Sequence, residues 1–170
     1  MNNILRRGLA AGAALAATAA VGLLGAGVAL ANPTDQPCQA GQLDTTLVAG
    51  SPGAGQRYAS LQFTAKPGNS CKLTGPLPVT LNGAPSVTVV PDAGEATPVY
   101  VTSGKPAHVL LHWTGIGAPE QQQTPASVTV GFPAQRPGST TLPWNQGPVD
   151  AFAEAHTLRV GPVQAGPAES

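Results

Sequence analysis

Residues 53–81 read GAGQRYASLQFTAKPGNSCKLTGPLPVTL. Within this stretch Ala59, Leu61, Phe63 and Ala65 alternate with Tyr58, Ser60, Gln62 and Thr64, the period of two required of a strand with one buried face. The spacing predicts a core strand. Pro67, Gly68 and Asn69 supply the restricted and positive φ values of a reversal, after which Cys71 opens the next strand. Pro76 and Pro78 then stand too close together for a central ladder, which predicts an edge, a bend or a crossover between sheets.

The same alternation recurs at residues 107–114, with Ala107, Val109, Leu111 and Trp113 on one face and His108, Leu110, His112 and Thr114 on the other. Further strands are predicted at 42–48, 72–74, 79–81, 86–90, 97–102, 127–132 and 158–162, with Asn82-Gly83 as a turn pair. Residues 115–124, with three consecutive glutamines, read as a mobile loop. The turn-rich segment 133–148 is too long for a hairpin and is expected to be packed down by Trp144. Residues 150–156 suggest two helical turns behind an Asp150 cap. About seven to nine short strands between Gly and Pro turns, with no long helical period, predict an all-β, immunoglobulin-like β-sandwich; a small β-barrel is the alternative.

The N-terminus has the three parts of an export signal. Arg6 and Arg7 precede an uncharged run of Ala, Leu, Gly and Val, and Ala29-Leu30-Ala31 forms a small-x-small site that predicts cleavage between Ala31 and Asn32. The run is long enough to serve as an uncleaved anchor, and Arg6-Arg7 partly matches a twin-arginine signal; cleavage by the ordinary secretory route is the reading adopted. The expected organisation is a signal peptide at 1–31, a short polar lead at 32–37, one domain at 38–162 and a flexible tail at 163–170. No stable membrane insertion follows cleavage. Two cysteines in an exported chain allow one pairing, Cys38 with Cys71, whose loop of 33 sequence steps would contribute roughly 3.5 kcal/mol by the chain-entropy relation.

Loss of residues 1–31 leaves six basic and eight acidic side chains, a net charge of −2, without a basic cluster. That balance argues against a nucleic-acid partner, whose phosphates need clustered Lys and Arg. His108 and His112 have a zinc-ligand spacing on a helix, but on a strand their side chains stand about 13 Å apart and one ion cannot easily hold both. Cys38 and Cys71 are better used in a bridge, and no G-x-S-x-G elbow supplies another nucleophile. Asp150 and His156 are close in sequence, which is no measure of geometry. Eight scattered carboxylates do not suggest a glycosidase pair. Ser103-Gly104-Lys105-Pro106 resembles only the tail of a phosphate loop. Tyr58, Tyr100, Trp113, Trp144, Phe63 and Phe132 read as core anchors. No catalytic, metal or cofactor residue is singled out, and no cofactor is expected.

Cys38, the Gly53-Ala54-Gly55 turn, Cys71-Lys72-Leu73-Thr74-Gly75-Pro76 and the Thr102-Ser103-Gly104-Lys105-Pro106-Ala107 turn occur in an order that resembles a family of exported actinobacterial domains, domain of unknown function 4232. The resemblance spans roughly residues 38–162. It implies an immunoglobulin-like sandwich outside the membrane, secreted or associated with the cell envelope, and brings no catalytic residue. The expected function is non-enzymatic surface contact with a cell-envelope component or protein, through a sheet edge or the 115–124 loop. A small-ligand or metal carrier is the second reading and a secreted hydrolase the third.

Overall fold

The computed structural model describes residues 33–134, 136–152 and 156–169. The expected signal segment and its cleavage between Ala31 and Asn32 lie outside the described residues. No helix among those described is long and apolar enough to cross a membrane.

The described chain is all-β. Its strands are β1 (Leu43–Ala49), β2 (Gln56–Ala65), β3 (Cys71–Leu73), β4 (Val79–Asn82), β5 (Thr88–Pro91), β6 (Val99–Val101), β7 (Ala107–Thr114), β8 (Gln122–Gln123), β9 (Ser127–Phe132), β10 (Gly138–Pro143), β11 (Val149–Asp150) and β12 (Thr157–Ala165). Eight of them have four or more residues, in line with the expected number of true strands. Of the four shorter ones, β3 and β6 fall at the strands expected over 72–74 and 97–102, β8 lies inside the expected loop 115–124, and β11 directly follows the turn-rich segment 133–148.

A five-stranded sheet has the order β1-β2-β7-β12-β5, and a three-stranded sheet has the order β10-β9-β4. The β12–β5 pair is parallel, while the other pairs of these two sheets are antiparallel. Two short ladders, β3-β6 and β11-β8, complete the arrangement. The large sheet ends at β1 and β5 without closing, so the architecture is a β-sandwich and the barrel alternative falls away.

Side-chain alternation explains the layering. Ala59, Leu61, Phe63 and Ala65 of β2 and Ala107, Val109, Leu111 and Trp113 of β7 are buried, and they share one apolar cluster with Val128, Val130 and Phe132 of β9. Phe63 meets Phe132 edge to face, with ring centroids 5.7 Å apart and planes at 83°, which locks one sheet onto the other. Trp113 and Trp144 pack at 5.0 Å, and the Trp144 indole N–H donates to the Gly147 carbonyl. Trp144 does hold down the turn-rich segment, although much of that segment is the regular strand β10.

The two prolines mark a change of sheet. β3 pairs with β6, whereas β4 is an edge of the three-stranded sheet, and Pro76 and Pro78 lie between them; the Pro78 carbonyl accepts from the Gly131 N–H. Cys38 and Cys71 are bonded to each other and buried, which fastens the N-terminal end of the described chain to β3. The Cys38 N–H donates to the Lys72 carbonyl and the Lys72 N–H to the Gln36 carbonyl.

Several expectations need correction. The closing strand, expected to stop at Pro162, runs to Ala165, because a bulge between Val160 and Val163 lets the chain pass a proline that cannot donate to the ladder. The segment after it, expected as a flexible tail from residue 163, is tied down: the Gly166 N–H donates to the Pro106 carbonyl and the Ala168 N–H to the Gln62 side chain. Asp150, expected to cap two helical turns over 150–156, instead closes the short strand Val149–Asp150, where its carboxylate enters a hydrogen-bonded site, and residues 153–155 of that segment lie outside those described. Neither tyrosine is a core anchor: Tyr58 is partly exposed on the outward face of β2, and Tyr100 is 48 % exposed, since Val99 and Val101 on either side of it take the inward positions of β6.

Two changes test this account. Replacing both cysteines by alanine lowers stability by about 3.5 kcal/mol, measured by urea denaturation against the oxidised chain. Phe63→Ala, which removes one ring of the inter-sheet pair, costs about 3–5 kcal/mol in the same assay.

Candidate functional site

Among the described residues, polar or exposed apolar groups gather on the outward face of the five-stranded sheet, around Asp150 and in a groove beside Tyr100. On the outward face of the five-stranded sheet, Tyr58 of β2, His112 of β7 and Arg159 of β12 occupy neighbouring register positions. The Tyr58 and His112 rings stack at 6.1 Å with a 3° interplanar angle. Asp92, just after β5, bridges the row: one carboxylate oxygen lies 3.2 Å from His112 Nε2, and the other accepts from Arg159 at 3.1 Å. Both oxygens therefore serve to tie β5 to β7 and β12. His108 turns elsewhere, with Nδ1 3.1 Å from the Gly166 carbonyl oxygen. The strand geometry thus sends the two histidines to different partners. Among the described residues no three His, Cys, Asp or Glu side chains come together as a metal-ligand group.

The second place is Asp150, which is buried. Its carboxylate accepts from the Ile116 N–H at 3.2 Å, the Gly117 N–H at 2.9 Å and the Gln122 amide at 2.9 Å. A Cβ at Gly117 would come 2.9 Å from a carboxylate oxygen, so any larger residue there would have to displace the Asp150 side chain. The segment after β7 is consequently fastened down, with Pro119–Gln121 forming a short 3-10 turn and Gln122–Gln123 pairing with β11. Its glutamines read as a mobile loop because the sequence offers no sign that a carboxylate 33 residues onward satisfies the Gly117 N–H. Burial alone would raise the Asp150 pKa; the hydrogen bonds from Gln122, Gly117, Ile116 and Thr114 outweigh it and hold the carboxyl below its ordinary value.

The third place is a surface groove of about 770 Å³ between β6 and the end of β12. Pro98, Tyr100, Pro106, Val163 and Pro167 give it apolar walls, and Lys105 is the charged residue on its lining. Lys105 belongs to the turn between β6 and β7, closed by the Lys105 N–H donating to the Thr102 hydroxyl and the Thr102 N–H donating to the Lys105 carbonyl. It leads from strand to strand, so the likeness to a phosphate loop has no helix N-terminus to support it. None of these groove residues was singled out as a site by sequence reasoning. The available signal was the Val99-Tyr100-Val101 triplet, whose alternation turns the tyrosine outward.

The Asp150 network gives a pH test. A carboxyl with a depressed folded-state pKa contributes stability that is present above its unfolded pKa and lost as pH falls through the folded one. Asp150→Asn, which sets an amide N–H against the donors, lowers stability by about 2 kcal/mol at neutral pH. It also flattens the acid limb of the stability curve below about pH 4, read by thermal melts across pH.

The family model described as Domain of unknown function (DUF4232) matches residues 38–164. No curated protein and no solved structure matches the chain. The match begins at the bridging Cys38, ends one residue short of the β12 terminus and spans most of the chain, which therefore belongs to the DUF4232 family.

Proposed function

We propose that the domain is a non-enzymatic contact module that works outside the cytoplasm, binding a protein of the cell envelope through the Tyr100 groove. The observation that carries this reading is the groove itself: a concave apolar surface with a half-exposed tyrosine, while among the described residues the Asp92 and Asp150 clusters are spent on holding strands together. Asp92 is engaged by His112 and Arg159, and Asp150 by the backbone after β7. A reacting centre would need such groups aimed at a substrate. Tyrosine in an apolar hollow is a common anchor for protein contact, since it offers a large rigid ring and a hydroxyl at small entropic cost.

The Cys38–Cys71 bridge and the basic, apolar and small-x-small order of the first 31 residues support an oxidising compartment. A photo-crosslinking amino acid at position 100, in cells that produce the chain, should yield a discrete adduct on irradiation. The same residue placed at Thr46, an exposed site on β1, should not. Absence of an adduct at 100, or equal adducts at both positions, would sink the reading.

A further inference from the structure

The backbone around the groove shows what kind of segment fits there. Antiparallel ladders alternate between pairs that exchange hydrogen bonds and pairs that do not. In the β7–β12 ladder the Gly166 N–H donates to the Pro106 carbonyl, and Gln164 lies opposite His108 two residues along. Gln164 is therefore the residue that faces β7, while Val163 and Ala165 turn their N–H and C=O groups the other way. Closer to its start, the outer edge of β12 is covered by β5, but that pairing ends at Val160 opposite Pro91. Val163 and Ala165 are left with open backbone groups on the groove side.

Lys72 directs its N–H to Gln36 and its carbonyl to Cys38. Its partner on β6 is Tyr100, so Lys72 and Tyr100 form a pair without mutual hydrogen bonds, and Val99 and Val101 are the residues that bond to β3. Tyr100 consequently turns its own N–H and C=O away from β3. Among the described residues β6 is paired with β3 alone, β12 has no ladder partner on this side past Val160, and no turn or loop backbone reaches these outward groups of Tyr100, Val163 or Ala165.

We infer that the open β12 edge at Val163 and Ala165 takes an extended polypeptide segment by strand addition, with Tyr100 against its side chains and Lys105 holding a carboxylate that the segment carries. This deepens the contact reading and rests on it. Donors and acceptors repeated at every second residue match the backbone of an extended peptide and no other common polymer. Lys105 makes no ion pair among the described residues and is the charge that borders the groove, which selects an acidic segment. Pro162 and Pro167 flank the open edge without occupying it, so the edge is short but usable.

The test is selection of binders to the full chain from random decapeptides displayed with free C-termini. Selected peptides should carry alternating β-branched or aromatic residues and a carboxylate. N-methylation of one alternate set of peptide amides should weaken binding about tenfold and of the other set less than about twofold. Ala165→Pro deletes an outward N–H while sparing the ladder to β7, and should weaken binding about fivefold with unchanged melting temperature. Lys105→Gln should weaken binding of peptides with a free carboxylate and leave those whose carboxyl groups are all amidated unchanged.

Selection of helical peptides, indifference to N-methylation, or binding of purified peptidoglycan without any peptide would overturn the inference. So would a dimer of the chain that Ala165→Pro disperses, since a second copy would then be the occupant. If crosslinking at position 100 captures a partner while Ala165→Pro is silent, the contact reading survives and strand addition does not.

Discussion

β2 and β7 lie side by side over eight register pairs, from Gln56 opposite Thr114 to Phe63 opposite Ala107, and each sends every second side chain into the same interior. Because a one-residue slip would turn each apolar set to water, burial of these two faces fixes the register of the whole large sheet. β1 and β12 add to the two outer edges of this pair, and the three-stranded sheet closes over its inner face at the Phe63–Phe132 contact. The chain has little else to rely on: it carries few charges, no α-helix among its described residues, and prolines and glycines that restrict ladders to short runs. The buried Cys38–Cys71 bridge offsets part of that shortage by limiting the unfolded chain.

The same pair explains why the outward face is occupied with structural work. Side chains opposite one another on neighbouring strands must interact, and Tyr58, His112 and Arg159 do so in a row that Asp92 completes. Past that row, the bulge at Gly161-Pro162 shifts β12 by one residue against β7. This shift exchanges which backbone groups point to β7 and which point outward. It therefore decides that Val163 and Ala165, instead of Gln164, present their N–H and C=O groups to the groove. A local device for accommodating a proline thus sets the chemistry of the surface proposed to bind a partner.

Legibility in the sequence followed the range of the interaction responsible. The core faces of β2 and β7, the Pro76-Pro78 change of sheet, the packing of Trp144 and the Cys38–Cys71 pairing could all be read, because each leaves a local pattern or allows a single choice. The Asp150 network could not, since the carboxylate and the Gly117 N–H it accepts from are separated by 33 residues and neither stretch has a distinctive motif. Tyr100 was misplaced by the general tendency of aromatics to be buried, although its two valine neighbours already took the inward positions of a strand.

By itself, then, the amino-acid order determined an all-β chain with two central strands, one disulfide and no recognisable catalytic motif, since periodicity, turn residues and cysteine number act over a few residues or by count. Only the tertiary structure decided which strand edges remain open and which polar side chains are already engaged. Those properties depend on pairing between distant segments: β5 ends opposite Val160, Asp92 reaches His112 and Arg159, and β6 and β12 come together around one groove. Hydrogen-bond capacity left over after folding is a remainder of all the pairings made, so no single stretch of residues can encode it.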